Sequence, residues 1–181
     1  MKKIVILTGS PRKNGNSSRM ADAFAAAAEA KGFSISRFDT AFLKIAGCRA
    51  CNGCFSKGRA CVVDDDFNQI AAALLEADGV VFVAPVYWYT FPAQIKAAID
   101  RLYSLCVAGK NFAGKRSALI SCCEEEDMAT FTGVSFAYEK TVALLQYQDV
   151  GRVLIPGVNE PGAITATDGE ARAAALVEQF C

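Results

Sequence analysis

Apolar runs of strand length recur along the chain, and between them the apolar positions fall three and four residues apart. The first run, residues 3–7, carries Ile4-Val5-Ile6-Leu7 and predicts a strand. Residues 17–31 predict a helix, with Gly32 placed to end it. Residues 33–38 alternate apolar and polar side chains, as an edge strand with an exposed side does. Residues 66–77 predict a second helix, its opening Asp66 lying at the positive end of the helix dipole. Residues 79–84 are apolar throughout, the mark of a central strand buried on both faces. Pro92 suits the first turn of the next helix, on which Ile95, Ile99 and Leu102 share one face. Residues 116–121 and 150–155 predict two further strands. Between them residues 129–148 predict a helix, weakened in its first turns by Gly133. A loop over 156–167 and a helix over 168–180 close the pattern.

Strands alternating with helices predict an α/β fold with a parallel sheet. Five strands and their connections fit a flavodoxin-like three-layer sandwich, strand order 2-1-3-4-5, with helices on both faces. The length of 181 residues, without repeat or linker, suits a single domain over 1–181 that buries a full core. Formal net charge is zero, which argues against a nucleic-acid partner. The longest apolar stretch, residues 79–93, is interrupted by Pro85 and Pro92, so no membrane span is expected. The basic start Met1-Lys2-Lys3 precedes an apolar run too short for a signal peptide, and a cytoplasmic protein is expected. Histidine is absent, which excludes Ser-His and Cys-His nucleophile pairs and imidazole metal ligands. Eight cysteines in such a chain point to metal, redox chemistry or burial rather than a disulfide framework.

Candidate chemistry begins where the first strand ends. In Thr8-Gly9-Ser10-Pro11-Arg12-Lys13-Asn14-Gly15-Asn16-Ser17-Ser18, the part from Ser10 to Ser18 places five hydroxyl or amide side chains, Arg12 and Lys13 at the start of a helix. Asn16, Ser17 and Ser18 could simply cap that helix, but capping needs one such residue. The excess favours a phosphate on the helix N-terminus. In a doubly wound sheet this turn lies beside the loops after strands three and four. The former, Pro85-Val86-Tyr87-Trp88-Tyr89-Thr90-Phe91, has three consecutive aromatics that cannot all face the core. Core filling or an oligomer contact would account for them alone. Beside a phosphate turn, a flat ring with a phosphate tail is favoured, and FMN meets both demands.

Gly9-Ser10-Pro11-Arg12 with Asn16-Ser17 resembles the phosphate loop of the NADPH-dependent FMN reductase family. Ala84-Pro85-Val86-Tyr87-Trp88, Gln94-Ile95-Lys96 and Asp100-Arg101 resemble that family's flavin loop and following helix. The resemblance implies that Ser10, Arg12, Asn16, Ser17 and Ser18 hold the FMN phosphate. It implies that Pro85, Val86, Tyr87, Trp88 and Tyr89 hold the ring, with the loop from Ser121 completing the site. That loop reads Ser121-Cys122-Cys123-Glu124-Glu125-Glu126-Asp127, more acidic than is usual in the family. Carboxylates beside a flavin would disfavour an anionic reduced ring; pointing into solvent they would not.

Cys48, Cys51, Cys54 and Cys61 spell C-x2-C-x2-C-x6-C. Four close thiolates without histidine suit an iron–sulfur cluster and, less readily, zinc. The motif resembles that of the iron–sulfur flavoproteins, a branch of the same family that passes electrons between a [4Fe–4S] cluster and FMN. Cluster-free relatives carry similar loops before an acidic pair, here Asp64-Asp65, so free or redox-active thiols rank first, the cluster second and zinc third. Cys106, Cys122, Cys123 and Cys181 lack ligand spacing; Cys106 is expected to be buried and Cys181 to be a terminal thiol.

The expected activity is ping-pong hydride transfer from NAD(P)H to FMN and on to a small-molecule acceptor such as a quinone or free flavin. FMN carries the chemistry, so no catalytic side chain is required. The alternative is an electron carrier linking a cluster, FMN and a protein partner. Exposed aromatics at the ring suggest a homodimer or higher homo-oligomer.

Overall fold

The computed structural model describes residues 1–110 and 112–181. Its strands are β1 (Lys3–Thr8), β2 (Ser34–Asp39), β3 (Gly79–Pro85), β4 (Arg116–Cys122) and β5 (Gln148–Ile155). Its helices are α1 (Asn16–Ala30), α2 (Phe67–Glu76), α3 (Ala93–Arg101), α4 (Tyr103–Val107), α5 (Thr132–Leu144) and α6 (Gly169–Ala175). The strands form one parallel sheet in the order β2-β1-β3-β4-β5, the expected flavodoxin-like arrangement.

The period-two rule divides the core at this sheet. Val80, Phe82 and Ala84 face one side, packing with Phe67, Ile70 and Leu74 of α2, Ile95 of α3 and Tyr138 of α5. Val81 and Val83 face the other, packing with Met20 and Phe24 of α1 and with Phe180 near the chain end. The Phe82 and Tyr138 rings meet edge-on at 5.8 Å, and those of Phe24 and Phe180 at 5.5 Å. Each such fully buried side chain contributes about 1.5–3 kcal/mol. Ile95, Ile99 and Leu102 are buried together, as their spacing predicts.

Several boundaries move for local reasons. Pro92 is extended and precedes α3 as its cap instead of lying inside it. The segment expected to be helical from residue 129 opens with a 3-10 turn, Met128–Phe131, and becomes α-helical at Thr132. The closing helix is α only to Ala175 and tightens to 3-10 over Leu176–Phe180. Gly32, at φ +84°, follows the end of α1 in the left-handed conformation expected of it. Among the described residues no helix is long and apolar enough to cross a membrane.

Candidate functional site

The chain turns immediately after β1. Gly9 donates its N–H to the Val83 carbonyl at 2.9 Å, and a Cβ there would stand 2.6 Å from Ile95 Cγ2. Only glycine lets the turn lie this close to β3 and α3. Ser10 Oγ accepts the Arg12 N–H at 3.1 Å, and the Gly15 N–H returns to the Arg12 carbonyl at 3.0 Å. Helix α1 then begins at Asn16, and among the described residues no side chain caps it. Its first-turn N–H groups and the positive end of its dipole are therefore available to an anion.

Two polar residues of the turn are engaged elsewhere. Asn16 Nδ2 donates to the carbonyls of Val158 (3.2 Å) and Glu160 (3.0 Å). Its Oδ1 accepts the N–H groups of Gly162 (3.0 Å) and Ile164 (3.2 Å). This buried amide is fully used in tying the start of α1 to the loop after β5. Ser18 Oγ accepts a hydrogen bond from Arg37 Nη2 at 2.8 Å, and Arg37 also pairs with Asp39 and Asp22. Arg12, by contrast, is exposed, and among the described residues its guanidinium reaches only the Asn159 carbonyl, at 3.5 Å.

At the end of β3 the Val86 N–H donates to the Cys122 carbonyl at 2.8 Å. Tyr87 and Thr90 exchange backbone hydrogen bonds of 3.0 and 3.1 Å around a two-residue turn. Trp88 (φ +48°) and Tyr89 (φ +64°) both take the left-handed conformation this turn requires. Bulky residues held there cost about 1–3 kcal/mol each, so packing must hold them. Helix α5 supplies it: a Cβ on Gly133 would lie 2.2 Å from the Tyr89 carbonyl oxygen. Tyr87, Trp88 and Tyr89 are 40%, 93% and 58% exposed, so all three stay outside the core.

The turn and the aromatic loop meet in one cleft. Ser10, Arg12, Gly15, Asn16 and Ser17 line one side, and Pro85, Val86 and Tyr87 the other. The end of β4 closes it with Cys122, Cys123 and Glu124, and the loop after β5 adds Val158 and Asn159. Burial first, then the neighbouring Cys123, pushes the Cys122 thiol up to about 12. Burial and the Glu125 charge push Cys123 up to about 11. Both side chains are therefore neutral thiols at physiological pH. Glu124 to Asp127 are exposed, and Asp127 Oδ1 accepts the Ala129 N–H at 2.8 Å.

A second cavity lies in the loop before α2. Cys48, Cys51, Cys54 and Cys61 all line it, and none is in a disulfide. Burial, then the charges of Cys61, Cys48 and Cys51, raises the Cys54 thiol above its ordinary value. Ala50, Asn52 and Phe55 all have positive φ, so this stretch bends sharply between its cysteines. The sulfurs share a cavity without converging: among the described residues no three Cys, Asp or Glu side chains stand in a metal-holding arrangement.

Arg101, on the last turn of α3, lines the same cavity and is 2% exposed. Its Nη1 donates to the Ala46 carbonyl at 3.2 Å and to Asp65, and its guanidinium carbon lies 4.4 Å from the centre of the Phe67 ring. Its Nε and Nη2 are buried with no partner among the described residues. A buried donor left unpaired costs about 1–3 kcal/mol, more when charged. Asp65 also accepts the N–H groups of Ala46 (3.0 Å) and Phe67 (3.2 Å). Burial alone would raise its carboxyl, but the bonds from Arg101 and Ala46 hold it below the usual range.

The family model described as NADPH-dependent FMN reductase matches residues 2–130. The chain belongs to that family. As a member of the NADPH-dependent FMN reductase family, it is 40% identical over 116 residues to an iron-sulfur flavoprotein of Methanosarcina thermophila. That match covers 62% of this chain and 58% of the relative, so it spans little more than half of the relative's length. The fold resembles that of an azoreductase from Bacillus anthracis, with a TM-score of 0.75 at 23% identity over 99% of this chain and 100% of the other. It also resembles an FMN-dependent NADH-azoreductase of the same species in complex with FMN, with a TM-score of 0.73 at 11% identity over 99% of each chain.

Of the residues the family resemblance assigns to FMN, seven line the cleft: Ser10, Arg12, Asn16, Ser17, Pro85, Val86 and Tyr87. Ser18, Trp88, Tyr89 and Ser121 are not in its lining. Ser121 is wholly buried, its hydroxyl donating to the Ala84 carbonyl at 2.8 Å. The residues beside it, Cys122 and Cys123, occupy the cleft in its place. Cys106 is half-buried and not fully enclosed, and Cys181 is exposed. Sequence reasoning missed Gly133, whose helix-weakening character was the visible signal of a close backbone approach.

Proposed function

We propose that this chain is an FMN-dependent NAD(P)H oxidoreductase. The observation that carries this reading is the uncapped N-terminus of α1 opening into a cleft shared with Pro85, Val86 and Tyr87. One end of that cleft suits a phosphate and the other a flat ring. The N–H groups at the start of α1, with Ser10, Ser17 and Arg12, hold the phosphate. Pro85, Val86 and Tyr87 form a wall for the ring. The Tyr87 N–H is committed to Thr90, which leaves those of Trp88 and Tyr89 to meet the ring's polar edge. Bound FMN supplies acceptance of a hydride from NAD(P)H and its delivery as two electrons to a quinone, free flavin or similar small molecule. The exposed acidic run from Glu124 favours neutral or cationic acceptors over anionic ones. FMN titration followed by steady-state NAD(P)H oxidation with a quinone tests this. Saturable FMN binding and parallel double-reciprocal lines support the reading; failure to take up FMN overturns it.

A second reading adds an iron–sulfur cluster, favoured by the four unpaired cysteines lining one cavity. The donor set is all thiol, and the buried N–H groups of Arg101 in the same wall, without partners among the described residues, suit an anionic occupant. Cys48, Cys51, Cys54 and Cys61 would hold a [4Fe–4S] cluster, which supplies one-electron exchange. The iron-sulfur flavoprotein named above supports this reading, in which the chain passes single electrons to a protein partner. An anaerobic absorption spectrum with iron, sulfide and flavin analysis separates FMN alone from FMN with a cluster.

A homodimer is proposed from the exposed Tyr103, Val107, Phe136 and Leu144 on α4 and α5. Tyr103 and Leu144 line a groove together with Leu102, Cys106 and Leu145, a surface that a second copy would cover. Sedimentation as a monomer would refute it. Eight cysteines without a disulfide agree with a cytoplasmic setting.

A further inference from the structure

We propose that Arg101 is the positioning residue of the four-cysteine cavity, its Nε–H and Nη2–H donating to the sulfurs of the group held there. This rests on the iron–sulfur reading above and goes beyond it, because none of the four cysteines identifies a residue that tunes the group.

Three observations support it. Arg101 lies in the wall of the cavity that Cys48, Cys51, Cys54 and Cys61 line. Its ion pair with Asp65 and its bond to the Ala46 carbonyl both use Nη1, so stapling the loop to α3 accounts for only one nitrogen. Nε and Nη2 stay buried without a partner among the described residues, an arrangement that a packing role alone does not explain. Stacking against Phe67 fixes the plane of the guanidinium and so the directions of those N–H bonds.

The chemistry follows from charge. Four thiolates on an iron–sulfur core make an anionic group, and one-electron reduction adds a further negative charge. N–H donors to its sulfurs favour the more negative state and raise the reduction potential. Asp65 offsets the arginine's net charge, so the effect comes from the directed N–H groups, and removing Asp65 leaves the positive charge uncompensated.

The test is an EPR-monitored redox titration of the protein after anaerobic reconstitution with iron and sulfide. Arg101→Lys keeps a cation for Asp65 but loses the forked donors. The equilibrium constant for one-electron reduction should fall about tenfold, or about 59 mV for a one-electron couple. Asp65→Asn keeps the donors and should shift the potential upward. It also provides the test if Arg101→Lys fails to fold. A cluster-loaded Arg101→Lys protein with unchanged potential, or an Asp65→Asn protein with an unchanged or lowered one, overturns the proposal while leaving the cluster reading intact. Wild-type protein that binds FMN but retains no iron overturns both.

Discussion

Asn16 Oδ1 accepts the backbone N–H of Ile164 at 3.2 Å, joining residues 148 positions apart. With its bonds to Val158, Glu160 and Gly162, this amide clamps the start of α1 to the loop after β5. Asn16→Ala leaves four backbone groups short of a partner, two of them in buried bonds. At about 1 kcal/mol for each lost bond, partly offset by water entry, stability should fall by about 2–3 kcal/mol. Urea unfolding measures this, and an unchanged midpoint would remove Asn16 from its place as a clamp.

Arg12 stands at the same turn with the opposite energetics. It is exposed, and among the described residues its guanidinium holds only a 3.5 Å contact to Asn159, so Arg12→Ala should leave folding almost unchanged. If its guanidinium pairs with the FMN phosphate, affinity should drop by about 1.5–3 kcal/mol. Fluorescence titration with FMN decides it, and riboflavin, which lacks the phosphate, should bind both proteins equally.

Gly133 lies within a helix, where glycine to alanine ordinarily gains about 1 kcal/mol. Here a Cβ would stand 2.2 Å from the Tyr89 carbonyl oxygen, and that oxygen belongs to backbone. Gly133→Ala should therefore lower stability by about 1–3 kcal/mol and weaken FMN binding, because the aromatic loop must move. Thermal melts and FMN titration of the variant measure both effects.

Thiol reactivity should divide the eight cysteines. Burial holds Cys122 at about 12 and Cys123 at about 11, so neither forms appreciable thiolate at pH 8. Cys48, Cys51 and Cys181 are exposed. A colour-forming disulfide reagent at pH 8, applied to metal-free protein, should modify these three first. Cys122 and Cys123 should react only after denaturation. Early labelling of Cys122, detected by peptide mass, would contradict the burial argument.

The sheet was legible because its strands are short apolar runs with the right spacing, and β3 is apolar along nearly its whole length. The polar turn after β1 was legible as a local run of small, amide and basic side chains, whereas the missing side-chain cap on α1 appears only in the fold. What the individual side chains do was less so. Nothing local to Ser18 announces that β2 places Arg37 against its hydroxyl. Nothing local to Asn16 announces that a loop more than 140 residues away supplies the partners of its amide. Cys122 and Cys123 could be assigned to the strand-four loop, but strand register decided that they, and not Ser121, face the cleft. Cysteine spacing was visible at once, whereas Arg101 joined that cavity only through the packing of α3.

Trp88, held in a left-handed turn beside Tyr87, is the chain's one tryptophan. Its indole is almost fully solvated in the folded protein, so unfolding should change its emission little. Quenching or a blue shift on adding FMN, a nicotinamide or a quinone would instead originate at the mouth of the cleft. The protein thus carries its own optical reporter for what enters there, silent to folding and sensitive to occupancy.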